Sequence, residues 1–309
     1  PHGSGPLPPP PPPAPWEPFA FALLASLILS ALLAWYLASP VKRLRAAFKA
    51  MAGGRLETRV GSLMRRGDEI ADLGREFDDM AAKLQSLVLA QRRLLHDVSH
   101  ELRSPLARLQ VALGIVRQEP EKLNLAIERM EREVGRLDGL IGEILTLSRI
   151  NSGVGEGLTE EVDLGEVVEG IVHDARFEAG SQGREIRFTD QDGVRVRGRQ
   201  ALLARSVENV VRNGLRFSPP SGTLDVEVGH EGGQAVVRVR DRGPGIPESD
   251  LEAVFEPFHR APGNDGPDGS GLGLAIARGA VELHGGSIAA RNMDDGGLCV
   301  EIRLPAVRP

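Results

Sequence analysis

His100 is the residue of this chain best placed for nucleophilic chemistry. It stands in the run His100-Glu101-Leu102-Arg103-Ser104-Pro105-Leu106. Around it Leu95, Val98, Leu102, Leu106, Leu109, Leu113 and Val116 recur at steps of three and four, the apolar stripe of an amphipathic helix. At about 100° per residue, His100 falls about 200° from Val98 and about 160° from Leu102, so it faces away from the stripe toward solvent. An exposed imidazole is largely neutral at physiological pH and keeps a free nucleophilic nitrogen. Glu101, next in sequence, can hydrogen-bond one ring nitrogen and leave the other to attack. Pro105 removes a backbone donor and tends to kink the helix just beyond. His96, four residues earlier on the same face, reads as an ordinary surface residue.

A second set of groups suits a nucleotide-like ligand. Asn209 and Asn213 sit one turn apart in a helical pattern and can share a cation. Asp241-Arg242-Gly243-Pro244-Gly245 puts an acid before glycines that let backbone approach a flat ligand. Phe255-Glu256-Pro257-Phe258 anchors a loop rich in Gly, Pro, Asp and Asn. Gly269-Ser270-Gly271-Leu272-Gly273-Leu274 closes that loop and opens a helix, where unpaired backbone donors can hold phosphate oxygens. This is not a dinucleotide fingerprint, since the spacing is wrong and no strand precedes it. Singly each motif is weak; a glycine-rich run is more often a turn, and an Asn pair more often solvated.

Two kinds of element must position these groups. Helical periodicity carries His100 across residues 84–118. Glu119-Pro120 interrupts it, and a second helix follows on Leu123, Ile127, Met130, Val134, Leu137, Ile141 and Ile144. Such a hairpin has more apolar face than it can cover alone, so a dimeric antiparallel four-helix bundle is expected. After a Gly-rich linker at 152–157 the period changes. Residues 185–188, 194–196, 224–228 and 235–239 alternate apolar with polar, as half-exposed strands do, the last two about a Gly232-Gly233 turn. A second hairpin joins 286–290 to 299–304, and helices fit 164–179, 200–216 and 272–284. The expectation is an α+β sandwich, one mixed sheet with helices on one face.

The chain begins differently. Residues 1–18 are dominated by proline, with Pro1 to Gly5 reading as a cloning scar. No folded sensor domain fits in so short a stretch. Residues 19–37 then carry no charge, roughly 28 Å of helix, close to the hydrocarbon thickness of a bilayer. Trp16 borders one end and Trp35-Tyr36 the other. Lys42, Arg43 and Arg45 follow while no Lys or Arg precedes, so the positive-inside rule puts everything after Pro40 in the cytoplasm. Residues 40–84 read as two short amphipathic helices about a connector at 55–67. The first uses Val41, Leu44, Phe48 and Met51 and ends at Gly53-Gly54. The second opens at Asp68-Glu69 and uses Ile70, Leu73, Phe77, Met80 and Leu84.

Composition sets bounds. The 309 residues leave room for several domains, and a net charge of −6 gives no electrostatic case for nucleic acid. A single cysteine, Cys299, excludes an internal disulfide framework and reads as a small buried side chain.

The stretch from Leu94 to Leu106 resembles the H-box of bacterial sensor histidine kinases. The resemblance implies His100 as phosphoacceptor and Glu101 as its acid/base partner. Residues 40–84 resemble a HAMP domain, which passes motion of a membrane helix to a dimeric coiled coil. The four later motifs, in this order behind an H-box, resemble the N, G1, F and G2 boxes of the family's ATP-binding domain, the GHKL or Bergerat fold. This implies ATP and Mg²⁺ as cofactors. Asp241 would accept from the adenine amino group, with Gly243 and Gly245 shaping its pocket. Asn209 and Asn213 would bind Mg²⁺, Arg216 stands where a phosphate-contacting Lys is usual, and Phe217 lies beside the nucleotide. Arg260, beyond the box begun by Phe255, would reach the γ-phosphate. Gly269, Gly271, Leu272 and Gly273 would line the phosphates beneath a lid.

Two positions refine this. Ser104 matches the Thr or Asn with which family members also dephosphorylate their regulator, and it keeps a hydroxyl. In the gyrase-type ATPases of the superfamily a Glu one turn before the second Asn activates water; here that position is Asn209, and Glu208 points about 100° away. The resemblance therefore implies a membrane-bound two-component sensor histidine kinase of the inner membrane. It would be a homodimer that phosphorylates His100 and passes the phosphoryl group to an Asp of a response regulator, with no nucleic-acid partner. The implied divisions are a proline-rich remnant (1–18), a transmembrane helix (19–38), HAMP and connector (39–90), the dimerisation and phosphotransfer domain (91–152) and the ATP-binding domain (153–309). Residues 92–110 look like the Cpx-type envelope-stress kinases. The rival readings are a coiled-coil scaffold that binds ATP only structurally, and a simple membrane ATPase.

Overall fold

The structure is a computed structural model that describes residues 16–61, 69–118, 121, 123–151, 160–181, 183–191, 193–261 and 269–307. Most of the proline-rich start, the end of the 55–67 connector with Asp68, the Glu119-Pro120 turn, the 152–157 linker and most of the 259–268 loop lie outside the described residues. The chain divides into two compact units, residues 1–95 and 96–309.

The first unit begins with α1 (Glu17–Ala52), a single helix with Pro40 inside it. The expected division between the span (19–38) and the HAMP residues (39–90) falls inside this one helix. Proline's fixed φ is helical and its missing donor removes one hydrogen bond, which the flanking turns tolerate. The stretch from Phe19 is long and apolar enough to cross a membrane by length and composition. Gly53 and Gly54, the latter at φ 86°, end the helix. Leu44, Ala47, Val60, Ala71, Phe77 and Ala81 form the unit's core, with Phe48 edge-on to Phe77 at 4.7 Å between ring centroids. Alanines rather than the expected Leu73, Met80 and Leu84 make the close contacts, because they let backbones approach; those larger residues are exposed. Asp78 clamps the connector, accepting from the Val60 and Gly61 amides at 2.7 Å each.

The helix α2 (Glu69–Gln118) is also continuous, where two helices meeting near Leu84 were expected. It passes through Pro105. In the second unit α3 (Leu123–Asn151) carries two rows at seven-residue spacing. Ala126, Glu133, Leu140 and Leu147 are buried, whereas Ile127, Val134 and Ile141 are exposed.

The rest of the second unit is the expected α+β sandwich. Strands β2 (Glu185–Asp190), β4 (Thr223–Glu231), β5 (Gln234–Arg240), β6 (Ser287–Asn292) and β7 (Leu298–Pro305) form one sheet in the order β2-β4-β5-β7-β6. The β2–β4 pair is parallel and the others antiparallel. The β4–β5 turn uses Gly232 and Gly233, both at positive φ, the pattern of a type I′ hairpin. A second small sheet pairs β1 (Glu160–Asp163) with β3 (Arg195–Gly198). β1 was not expected, since Glu-Glu-Val-Asp offers only Val162 as an apolar position. Helices α4 (Leu164–Ser181), α5 (Gln200–Phe217) and α6 (Gly273–Leu283) supply the other layer. Leu224, Val226 and Val228 of β4, Val237 and Val239 of β5, and Val300, Ile302 and Leu304 of β7 share the core with Val207, Val210 and Val211 of α5. Alternate strand residues form ion pairs on the other face, Arg238 with Glu231 and Glu301, Arg240 with Glu227. Cys299 is fully buried, as expected.

Candidate functional site: a cleft at α5 and α6 and a histidine on α2

The cleft is built at the ends of elements. Asp241 follows β5 and is 4% exposed. Its Oδ1 accepts from the Gly243 amide at 2.8 Å and the Leu298 amide at 3.1 Å, so Oδ2 is the acceptor left for a ligand. Burial pushes this carboxyl above the usual range, opposed by those two main-chain donors. A side chain at Gly243 would stand 2.7 Å from the Phe217 carbonyl, so only glycine lets the turn pass behind Asp241. Gly297 presses on the Asp241 main chain in the same way, at φ 99°. Asn292 holds the next turn of wall, accepting from the Ile246 amide at 3.0 Å and donating to its carbonyl at 2.7 Å.

α5 contributes Asn209, Asn213, Arg216 and Phe217 at steps of one turn, together with Arg205 and Arg212. Asn209 is nearly buried, and its Nδ2 has no hydrogen-bond partner among the described residues. Arg216 lies 5.2 Å from the Phe217 ring centre. Glu208 does not line the cleft. It pairs instead with Arg205 and Arg212 at 3.3 and 3.4 Å, as its helical phase requires.

The third wall is the loop before α6. Its two ends are tied where the Phe258 amide donates to the Gly271 carbonyl at 2.9 Å, with Phe258 at φ 62°. Arg260 donates to the Gly269 carbonyl, and the Arg216 guanidinium packs against Gly269. Ser270 Oγ bonds Glu143 of α3 and accepts from the Leu272 amide at 3.1 Å, so α3 itself contributes to the cleft.

The fold thus brings Asn209, Asn213, Arg216, Phe217, Asp241, Gly245, Arg260, Gly269, Gly271 and Gly273 to one cleft. Phe255 and Leu272 do not line it. Both are buried apolar side chains, 5% and 0% exposed, that pack beneath the loop. Gly243 backs the wall without facing the cavity. Sequence reading missed Gly297, Asn292, Arg205, Arg212, His259 and Glu143. The Asp294-Asp295-Gly296-Gly297 turn was a readable signal for the first.

His100, Glu101 and Ser104 lie on α2 and do not line the cleft. His100 is exposed, with its ring edge-on to His96 at 4.6 Å between centroids and 62° between planes, rather than hydrogen-bonded to Glu101. His96 is exposed too, as expected. Ser104 Oγ accepts from Arg108 at 2.6 Å.

An exposed histidine on a long helical hairpin, joined to a mixed sheet whose cleft is walled by asparagines, a buried aspartate and glycines, defines a two-part class of protein. Three family models match in order along the chain. They are the HAMP domain at residues 32–86, the His Kinase A (phospho-acceptor) domain at 90–153, and the histidine kinase-, DNA gyrase B- and HSP90-like ATPase at 198–308. The chain belongs to the family of two-component sensor histidine kinases. It is 37% identical over 286 residues to sensor protein PfeS of Pseudomonas aeruginosa, covering 92% of this chain and 63% of that one. It is 34% identical over 278 residues to sensor histidine kinase CpxA of Escherichia coli, covering 88% and 59%. A Cpx sensor thus stands among the relatives beside a sensor of another name. The chain spans about three-fifths of the length of these curated relatives. In fold it is similar to a solved histidine kinase ThkA in complex with response regulator protein TrrA, at 22% identity and TM-score 0.60 over 78% of this chain and 68% of that one.

Proposed function

We propose that this chain is the membrane-anchored kinase part of a sensor that phosphorylates His100 from Mg-ATP and passes the phosphoryl group to an aspartate of a response regulator. The observation that carries this is the pairing of an exposed His100 on α2 with a cleft whose walls suit phosphates and a flat base, and whose described residues offer no evident base for hydrolysis. Among the described residues the acidic groups lining that cleft are Asp241, tied to main-chain amides, and Glu143, tied to Ser270. A water-activating carboxylate on α5 is replaced by Asn209. That favours a kinase over the membrane ATPase reading.

Asp241 Oδ2 accepts from the adenine amino group, Gly245 lines the flat slot for the ring, and Gly243 and Gly297 let the main chain close behind Asp241. Arg216 and Arg260, both against Gly269, meet the phosphates, and the first turn of α6 offers main-chain donors. Asn209 and Asn213 fit Mg²⁺, a hard cation that takes neutral oxygen ligands, water and substrate phosphates. Among the described residues no group of three or more His, Cys, Asp or Glu side chains could hold a metal ion, so the cation depends on these amides and on the nucleotide. When bound it neutralises charge on the phosphates. One imidazole nitrogen of His100 attacks the γ-phosphorus in line, the bond to the bridging oxygen breaks, ADP leaves with that electron pair, and Glu101 takes the ring proton.

The placement of the span supports an inner-membrane location with the catalytic part cytoplasmic. The exposed apolar rows of α2 and α3 support a homodimer. The solved kinase–regulator complex of similar fold supports a docked response regulator. Ser104, where relatives carry Thr or Asn, is the residue for dephosphorylating that regulator.

The test is incubation of the full chain in detergent micelles with γ-labelled ATP and Mg²⁺, beside His100→Gln and Asn213→Ala. Acid-labile, base-stable label lost in both variants is expected. ATP binding without any label would establish the scaffold reading instead, and label surviving His100→Gln would move the acceptor to His96.

A further inference from the structure

We propose that Arg108 is a positioning residue for Ser104 in dephosphorylation of the regulator, and that Glu133 of α3 holds Arg108 in place. This rests on the reading of Ser104 given above. Arg108 is one helical turn beyond Ser104 and its guanidinium is shared. Nη1 donates to Ser104 Oγ at 2.6 Å, while Nη2 stands 2.9 Å from Glu133 Oε2, an ion-pair contact whose angle is not that of a hydrogen bond, so it acts through charge. Glu133 is 8% exposed on the buried row of α3, and Arg136 donates to its other oxygen at 3.1 Å. The Arg108 guanidinium beside it, helped by Arg136, holds the Glu133 carboxyl below the usual carboxylate range. The pair is thus a buried anion on α3 drawing one arm of a fork by charge, while the other arm hydrogen-bonds the surface hydroxyl.

The chemistry needs such a grip. Dephosphorylation requires a water oxygen to attack the phosphorus of the aspartyl phosphate. The bond from phosphorus to the carboxyl oxygen breaks, the electron pair leaves with the carboxylate, and both water protons stay on the phosphate released. No charge on Ser104 changes; it only orients the water, so its own orientation sets the rate. A serine hydroxyl has one donor and two acceptor positions. Arg108 occupies one acceptor, and the others face solvent. A threonine would be restrained at χ1 by its own methyl group, whereas serine has no such restraint. In this chain the restraint comes from Arg108 instead. A planar fork can hold Glu133 and Ser104 at once; a lysine ammonium is a point charge that reaches one or the other. Because the anchor sits on α3 and the hydroxyl on α2, a shift of one helix along the other would alter Ser104 without touching it.

The test uses the full chain in micelles and a receiver domain chosen as the fastest acceptor of label from the phosphorylated wild type, then recharged with acetyl phosphate. Its rate of dephosphorylation is measured at saturating and subsaturating concentration. Arg108→Lys is expected to lower kcat about tenfold with KM unchanged. It should add nothing in a Ser104→Ala background and should recover most of the loss with Ser104→Thr. Glu133→Gln, which loosens Arg108 without removing it, should move kcat in the same direction, and serves where Arg108→Lys does not melt cooperatively. Losses that multiply with Ser104→Ala, or that fall on KM alone, overturn the positioning role. If Ser104→Ala itself leaves the rate unchanged, the reading of Ser104 fails first.

Discussion

Asp241 shows how a single side chain is made specific by what its neighbours consume. Two main-chain amides take Oδ1, and burial raises the cost of its charge. An acid whose folded pKa is raised contributes stability at low pH and loses it as pH rises through that value, so at neutral pH the ionised carboxyl is a burden on the fold. Asp241→Asn removes the burden while keeping an oxygen for both amides, and it turns the free position from acceptor to donor. The expected outcome is a domain that melts at the same or a higher temperature yet binds ATP about a hundredfold more weakly, since donor would face donor. Calorimetric melting beside titration with a fluorescent nucleotide checks both halves; unchanged affinity would remove Asp241 from the base site. Polar residues such as this one were legible in the sequence because an acid beside glycines has few structural uses. Phe255 and Leu272 were not, because an apolar residue inside a motif packs by the same rules as any core residue. Asn292 and Glu143 were hidden by distance, since Asn292 braces the Ile246 turn and Glu143 reaches the cleft, each from another element.

At the level of elements, the docking of α6 on α3 is the less obvious feature. Ile150 and Leu147 are buried at the end of α3, and Ile150 Cγ2 would stand 2.8 Å from a side chain added at Gly279. Together with the Ser270–Glu143 bond, this makes α3 a shared wall of hairpin and nucleotide layer. Gly279→Leu should therefore force α6 from α3. Faster amide hydrogen exchange over residues 147–150 and α6 is expected, with exchange slowed again when Ile150→Ala makes room. Exchange unaltered in the single variant would mean that Gly279 is only a surface glycine. The strands and helices of the sheet layer were readable within a few residues, since half-buried strands alternate and α5 has a clean apolar face. The elements that escaped were β1, too short to alternate, and the joins at Pro40 and near Leu84, where helical residues flank the expected division and the helix simply continues.

For the whole molecule, the decisive feature is apolar surface that one chain leaves uncovered. Leu95, Leu106 and Leu113 of α2 and Ile127, Val134, Ile141 and Leu145 of α3 are each at least 39% exposed. Fully burying such a side chain contributes about 1.5–3 kcal/mol, so a row of them facing water is a surface awaiting a partner. The repeat is the reason for choosing a second copy over a stranger. Ile127, Val134 and Ile141 recur every seven residues, the spacing that keeps a seam facing another helix along its length. Their excess of apolar face was visible in the sequence; which residues served the partner was not. The stripe that read as one face on α3 is in the structure two, with Glu133, Leu140 and Leu147 turned inward instead. A charge placed in the outward row should then act on assembly without disturbing the hairpin. Val134→Glu with Ile141→Glu puts four like charges in the seam of a dimer, where each would be desolvated without a partner. The expected result is half the protein mass by light scattering in micelles, with helix content by circular dichroism preserved. Leu140→Glu, on the inward row, should instead cost helix content and cooperative melting. Were the outward pair to leave the mass unchanged, these rows would not be the dimer seam, and the bundle would have to pair through another face.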